Sequence, residues 1–147
     1  MSNASIVPEL RITLPAHRDS LGLLRHVVRG FRDAYGVATA TMDDIVLAVS
    51  EAATNCVVHA YGPRAGTITV VARSSGDHLL HILVRDHGCG IAPPADTPKL
   101  GHGLALIEHV AESLEIVGTA AGTDVLMTFR LVVEDELPAP GDLGTAP

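Results

Sequence analysis

The sequence contains no tryptophan and only two tyrosines and two phenylalanines. A core therefore has to be built from Val, Leu, Ile and Ala, and hydrophobic residues make up 47% of the chain. Charged residues account for 18% of the 147 positions. This composition excludes general disorder and is typical of one globular domain.

Cysteine is scarce, and long apolar runs are absent. Cys56 and Cys89 are the only cysteines, which excludes a disulfide framework. No stretch of about 18 apolar residues predicts a membrane span. Residues 1–11 also lack the basic start and apolar run of a signal peptide. We therefore expect a soluble cytoplasmic protein that does not bind a membrane.

Positive charge is also scarce, since Lys99 is the single lysine and the formal net charge is −7. Nucleic-acid-binding domains carry basic patches, so this balance argues against direct binding of DNA or RNA. Residues 134–147 contain four acidic residues and no Lys or Arg. We expect a leader at 1–9, one domain at 10–133, and a disordered acidic tail at 134–147.

Hydrophobic periodicity predicts the order of the elements. Strands are expected at 10–14, 67–72, 79–84, 114–117 and 123–133, and helices at 18–35, about 41–61 and 103–113. Gly36 and Gly62-Pro63 are natural helix ends, and Thr41 with Asp44 has the pattern of a capping box. This order predicts an α+β fold, a two-layer α/β sandwich with a mixed, mostly antiparallel sheet and helices on one face.

The second predicted helix is apolar nearly all round, yet it carries a line of polar residues. Glu51, Asn55 and His59 follow at i, i+4 and i+8, which places them on one face. A carboxylate can act as a general base, and an amide oxygen can coordinate a hard cation such as Mg²⁺. The same pattern also fits a solvated stripe with an ordinary Glu–His contact.

A glycine loop follows the third predicted strand. Asp86 ends the strand, where its carboxylate can accept a hydrogen bond from an exocyclic amine. Gly88 and Gly90 allow the backbone to approach a planar ring closely. A simple loop turn is the alternative interpretation.

A second glycine loop opens the third helix. Gly101 and Gly103 expose backbone N–H groups, which favours an anion site, and Lys99 stands just before them. The spacing matches neither the dinucleotide fingerprint nor the P-loop. Lys99 is also consistent with an ordinary surface lysine, and Thr123 with a plain turn residue.

Together, these pieces resemble the GHKL ATPase superfamily, and most closely its anti-sigma-factor serine kinase branch. The resemblance covers residues 10–133 and rests on four motifs in register. These are Glu51-x-x-x-Asn55-x-x-x-His59, Asp86-x-Gly88-x-Gly90, Gly101-x-Gly103-Leu104 and Gly122-Thr123.

The resemblance implies a role for each matching residue. Glu51 would be the general base, Asn55 the Mg²⁺ ligand, and Asp86 the acceptor for the adenine amine. Further nucleotide-binding positions are expected at His59, Gly88, Gly90, Lys99, Gly101, His102, Gly103, Leu104 and Thr123. The implied cofactors are ATP and Mg²⁺. The implied reaction transfers the γ-phosphoryl group of ATP to a serine of an anti-sigma-factor antagonist. The resemblance also implies that the protein is a homodimer and that it sequesters a sigma factor.

Two other functions remain open. Only ten residues, three of them prolines, separate Gly90 from Gly101, so the lid is short and the chain could bind nucleotide and partners without phosphoryl transfer. A detached histidine-kinase catalytic domain is the third candidate. It is disfavoured because no phospho-accepting helix pair is seen upstream.

Two side features have alternative interpretations. The first helix has a basic stripe of Arg18, Arg25, Arg29 and Arg32, which fits either a partner surface or a solvated face. The eight histidines do not form a zinc spacing with the cysteines. We expect Cys56 to be a small core residue.

Overall fold

The computed structural model describes residues 9–61, 64–75, 78–88 and 101–131. Residues 1–8 of the leader predicted at 1–9, the helix end predicted at Gly62-Pro63, the acidic tail, and residues 89–100 with Gly90 and Lys99 lie outside these ranges.

Within these ranges, five strands form one sheet in the order β1-β2-β3-β5-β4, and each of the pairings is antiparallel. The strands are β1 (Glu9–Pro15), β2 (Thr67–Ser74), β3 (Leu79–Asp86), β4 (Ser113–Thr119) and β5 (Gly122–Arg130). Alternation sets their two faces, because Leu80, Ile82 and Val84 of β3 are buried while His81 between them is exposed. Every predicted strand is present.

The helices pack on one face of this sheet. They are α1 (Arg18–Arg29), α2 (Phe31–Tyr35), α3 (Thr39–Asn55), a π-helical turn (Cys56–Ala60) and α4 (Gly101–Val110). α3 lies between α1 and α4 and also contacts β3. The α+β class and the one-sided helical layer predicted from the sequence are confirmed.

The core is aliphatic, as the composition predicts. Buried side chains of α3 face the inner side of the sheet, and Leu24, Val28 and Phe31 close the core from the side of α1 and α2. The apolar character of α3 therefore reflects burial between two helices and a sheet. Leu47 is an exception, because 38% of its surface is exposed.

The first helix prediction, 18–35, is wrong about continuity. Helix α1 ends at Arg29 and α2 begins at Phe31, with Gly30 between them. The Gly30 N–H donates to the Val27 carbonyl at 3.0 Å, so the winding tightens there. Gly36 ends α2 with a φ of 65° and ψ of 42°, which confirms it as the stop.

The capping box predicted at Thr41 and Asp44 is also wrong. α3 begins at Thr39, its N-cap is Ala38, and no side chain caps it. The Met42 N–H donates to the Ala38 carbonyl at 2.9 Å, so a backbone bond closes the first turn. Thr41 therefore lies inside the helix rather than at its cap.

The end of α3 carries a further difference. The chain stays helical up to Ala60, near the predicted end at Tyr61, but the winding changes from α to π at Cys56. A π turn bonds each residue to the fifth along the chain and often marks a functional site.

Among the described residues, no helix is long and apolar enough to cross a membrane.

Candidate functional site

Two polar residues on the last turns of α3 face the beginning of α4. Glu51 and Asn55 are both half-buried and stand one turn apart. A β-carbon built on Gly103 would lie 3.0 Å from Glu51 Oε2 and 3.8 Å from Asn55 Oδ1. The fold therefore brings together one residue of the second glycine motif and the carboxylate and amide of α3.

A side chain at position 103 would enter the space beside the Glu51 carboxylate, so glycine keeps that space open. Gly101 is the first residue of α4, so the glycines open the helix as the sequence predicts. Leu104 follows Gly103 and is half-buried against the core.

His59 does not share the surroundings of Glu51 and Asn55. It belongs to the π turn and its side chain is exposed. A π turn advances each residue through a smaller angle than an α-helix, so the i, i+4, i+8 line does not continue straight beyond Asn55.

A second group of residues lies at the end of β3. Asp86 is the last residue of this strand and is 6% exposed. Its Oδ1 accepts a hydrogen bond from the Gly88 N–H at 2.9 Å, and its Oδ2 accepts one from the Cys56 thiol at 3.7 Å. The carboxylate is therefore held at both oxygens.

Two glycines keep the backbone close around Asp86. A β-carbon on Gly88 would lie 2.1 Å from the Ala60 carbonyl oxygen, and one on Gly122 would lie 2.0 Å from the Asp86 carbonyl oxygen. Gly122 also has a φ of 141°, which L side chains rarely adopt. Thr123 pairs directly with Asp86 across β3 and β5 and is 4% exposed.

Tyr61 connects these parts. Its hydroxyl donates to the Thr67 carbonyl at 2.5 Å and accepts from the His87 N–H at 2.8 Å. The residue after the π turn is thus joined to the start of β2 and the end of β3. No role was predicted for Tyr61, although its place two residues after His59 is a signal that could have indicated one.

The surroundings of Cys56 are only partly those expected. It is 3% exposed and lies in the hydrophobic core, as predicted. Its contact with Asp86 was not predicted, although Cys56 directly follows Asn55. Burial, followed by the negative charge of Asp86, raises the pKa of the thiol well above its ordinary value, so Cys56 remains a protonated donor.

The basic stripe of α1 is partly engaged with α3. Arg25 Nε donates to Ser50 Oγ at 3.2 Å, and Arg29 Nη1 lies 3.6 Å from Asp43 Oδ1. These two arginines therefore contribute to the packing of α1 on α3.

The remaining predicted positions are not all described. Gly90 and Lys99 lie outside the described ranges, and the side chain of His102 is not described. Among the described positions, the structure assembles Glu51, Asn55 and Gly103 at one point and Asp86, Gly88 and Thr123 at another. The two groups are linked through the helix that carries Asn55 and Cys56 in succession.

Comparisons with known proteins show which family the chain resembles. The family model of the histidine kinase-like ATPase domain matches residues 14–129. Serine-protein kinase RsbW of Bacillus mycoides is 30% identical over 135 residues, covering 82% of this chain and 83% of that protein. The protein of the same name from Bacillus cereus strain ATCC 10987 shows the same identity and coverage.

Solved structures give the same result. One match is the crystal structure of the RsbU and RsbW domains of a Mycobacterium tuberculosis protein. The sequence identity is 31% and the TM-score is 0.70, and the match covers 84% of this chain. This chain spans about a third of that protein, 32% of its length. The histidine kinase domain of an Erythrobacter litoralis blue-light activated kinase, 22% identical with a TM-score of 0.58, shares the fold. The chain therefore belongs to the family of histidine kinase-like ATPase domains, among relatives named serine-protein kinase RsbW.

Proposed function

We propose that this protein is an ATP-dependent serine-protein kinase that phosphorylates an anti-sigma-factor antagonist and also sequesters a sigma factor, acting in the cytoplasm as a homodimer. The single observation that carries the kinase assignment is the approach of Glu51 Oε2 to the start of α4, 3.0 Å from the β-carbon position of Gly103. The names of the RsbW relatives and the resemblance to anti-sigma-factor kinases support the choice of partners.

The residues present fit ATP and Mg²⁺. The space kept free by Gly103 lies between helix N–H groups, which favour phosphate, and the polar side chains of α3. Asn55 Oδ1 is the kind of oxygen that Mg²⁺ binds, and the bound ion would neutralise phosphate charge. Asp86, buried at the end of β3, would accept a hydrogen bond from the adenine amine, with Gly88 and Thr123 beside it.

Other predicted positions would complete the nucleotide site. In the proposal, Gly90 shapes the base site, and Lys99, Gly101, His102 and Leu104 belong to the phosphate end. His59 is kept as a position near the nucleotide with no chemical step, since its side chain is exposed.

In the proposed reaction, the Glu51 carboxylate accepts the proton of a substrate serine hydroxyl. The serine oxygen forms a bond to the γ-phosphorus of ATP while the bond from that phosphorus to the bridging oxygen of ADP breaks. Positioning of the two reactants in line supplies most of the rate enhancement.

The test measures transfer of labelled γ-phosphate to a purified antagonist protein encoded by a neighbouring gene. Glu51→Gln removes the base and keeps the size of the side chain. We expect transfer to fall by about 10²- to 10⁴-fold, with ATP affinity changed by less than about threefold. The matched control is Glu108→Gln, the same change at an exposed position of α4.

The outcomes separate the candidate functions. Transfer lost in Glu51→Gln and kept in Glu108→Gln supports the kinase. ATP binding without any transfer by the unaltered protein would instead favour a nucleotide-binding anti-sigma module without kinase activity. Phosphate appearing on a histidine would point to a histidine-kinase catalytic domain.

A further inference from the structure

The carboxylate of Asp86 is held by two donors from two different segments. The Gly88 N–H binds Oδ1 at 2.9 Å, and the Cys56 thiol binds Oδ2 at 3.7 Å. Cys56 is 3% exposed and Asp86 is 6% exposed, so bulk water does not compete strongly for either group. The orientation of the carboxylate is therefore set by the protein.

The thiol is held in place by the π turn. Cys56 begins this turn and Ala60 ends it, and the Ala60 carbonyl lies against Gly88. The turn thus contacts the end of β3 at both of its own ends. Because the two donors of Asp86 are fixed relative to each other in this way, the directions left for further hydrogen bonds at the carboxylate are also fixed.

The character of the donor matters as well. A thiol is a weak donor, so it orients the carboxylate while leaving Asp86 able to accept strongly from a ligand.

We propose that Cys56 is a positioning residue for adenine recognition, which orients Asp86 toward the 6-amino group of the purine. Cys56 thereby contributes to a preference for ATP over nucleotides that carry an oxygen at that position. This inference rests on the proposed ATP site at Asp86.

The test compares the dissociation constants of ATP and inosine triphosphate, measured by calorimetry on the full chain. Inosine triphosphate has an oxygen in place of the 6-amino group. We expect Cys56→Ala to weaken ATP binding by about three- to tenfold, while the affinity for inosine triphosphate stays the same. Cys56→Ser, which restores a donor, should recover most of the lost ATP affinity.

Two control variants separate positioning from general packing. Val49→Ala opens a space in the buried part of α3, seven residues before Cys56, and should leave the ratio of the two affinities unchanged. Asp86→Asn should abolish the preference for ATP, and adding Cys56→Ala to it should cause no further change.

The outcomes distinguish this inference from the proposed function. If Cys56→Ala weakens the binding of ATP and inosine triphosphate equally, or leaves the affinity for ATP unchanged, Cys56 has no positioning role, and the proposed ATP site is not affected by that result. The proposed adenine site and this inference would both be overturned if the unaltered protein does not bind ATP. The same holds if Asp86→Asn prefers ATP over inosine triphosphate as strongly as the unaltered protein does.

Discussion

At the scale of single residues, Gly122 combines two demands that only glycine meets. Its φ is 141°, and a β-carbon there would lie 2.0 Å from the Asp86 carbonyl oxygen. We expect Gly122→Ala to lower the free energy of unfolding by about 2 to 4 kcal/mol. Denaturation in urea measures this loss.

The control for this substitution is a glycine with the opposite surroundings. Gly22 lies in α1, is exposed, and has nothing within 4 Å of its β-carbon position. Gly22→Ala should raise the free energy of unfolding by about 0.5 to 1 kcal/mol, because alanine loses less conformational freedom in a helix. A similar loss in both variants would show that Gly122 has no special role.

Single residues also show how far the sequence predicts the candidate site. Glu51, Asn55 and Asp86 could be chosen because their side chains carry recognisable chemistry at a recognisable spacing. Cys56 could be placed in the core but not against Asp86. That contact depends on how the π turn meets the end of β3, which no local pattern records.

At the scale of elements, a cross-strand ion pair holds β3 and β5 in register beside the candidate site. Arg85 and Asp124 are direct partners in the sheet. Arg85 Nε donates a hydrogen bond to Asp124 Oδ1 at 2.6 Å, and Arg85 Nη2 donates one to Asp124 Oδ2 at 2.7 Å. The next pair along is Asp86 and Thr123. A slip of this register would move the threonine away from Asp86.

This ion pair makes part of the stability depend on pH. The Arg85 hydrogen bond, above all, lowers the pKa of Asp124 below its ordinary value, against a smaller opposing effect of burial. The folded state is thus favoured when Asp124 is ionised. The contribution is present above about pH 4 and is lost as pH falls through the lowered pKa.

The measurement is urea denaturation of the unaltered protein and Asp124→Asn at pH 7 and pH 3. We expect the variant to be less stable at pH 7 by up to about 1 kcal/mol, since Arg85 is partly exposed, and the difference to shrink at pH 3. Glu112→Gln removes a single exposed contact to Arg130 and should change the free energy of unfolding little at either pH. A difference that is constant with pH would contradict the assignment.

Elements differ in how well the sequence predicts them. The sequence of β1 alternates clearly, with Leu10, Ile12 and Leu14 on one face, and burial alternates along β3. The break at Gly30 was missed because Leu24, Val28 and Phe31 keep helical spacing across it. The π turn was missed because a change of winding over five residues leaves the apolar pattern almost unaltered.

At the scale of the whole molecule, nucleotide binding should stabilise the fold. A ligand that binds only the folded state adds about 2.7 kcal/mol at a hundred times its dissociation constant. For a domain of this size we expect Mg-ATP at that excess to raise the melting temperature by roughly 5 to 11 °C. Thermal denaturation followed by circular dichroism measures the shift.

The matched variant for this experiment is Gly103→Val. Its side chain would occupy the space beside Glu51, where the nearest atoms belong to the ends of flexible side chains and not to the backbone. The variant should melt near the temperature of the unaltered protein without ligand and show no rise with Mg-ATP. A melting temperature of the unaltered protein that does not respond to Mg-ATP would speak against the proposed site.

The class of the fold could be predicted from the order of its elements, but the order of strands in the sheet could not. The neighbouring positions of β2 and β3 agree with the short turn between them, whereas β1 pairs with β2 although three helices separate the two strands in the chain. β5, however, enters between β3 and β4. That choice depends on contacts between distant parts of the chain.

The position of β5 has a consequence for synthesis on the ribosome. β3 pairs with β2 on one side as soon as both have emerged, but its other edge waits for residues 122–130. Until then, the nascent chain presents an open edge of β3 that ends in Asp86, and an unpaired edge is a template for wrong association. A chain released early, before β5, would therefore lack Thr123 and keep that edge open to aggregation.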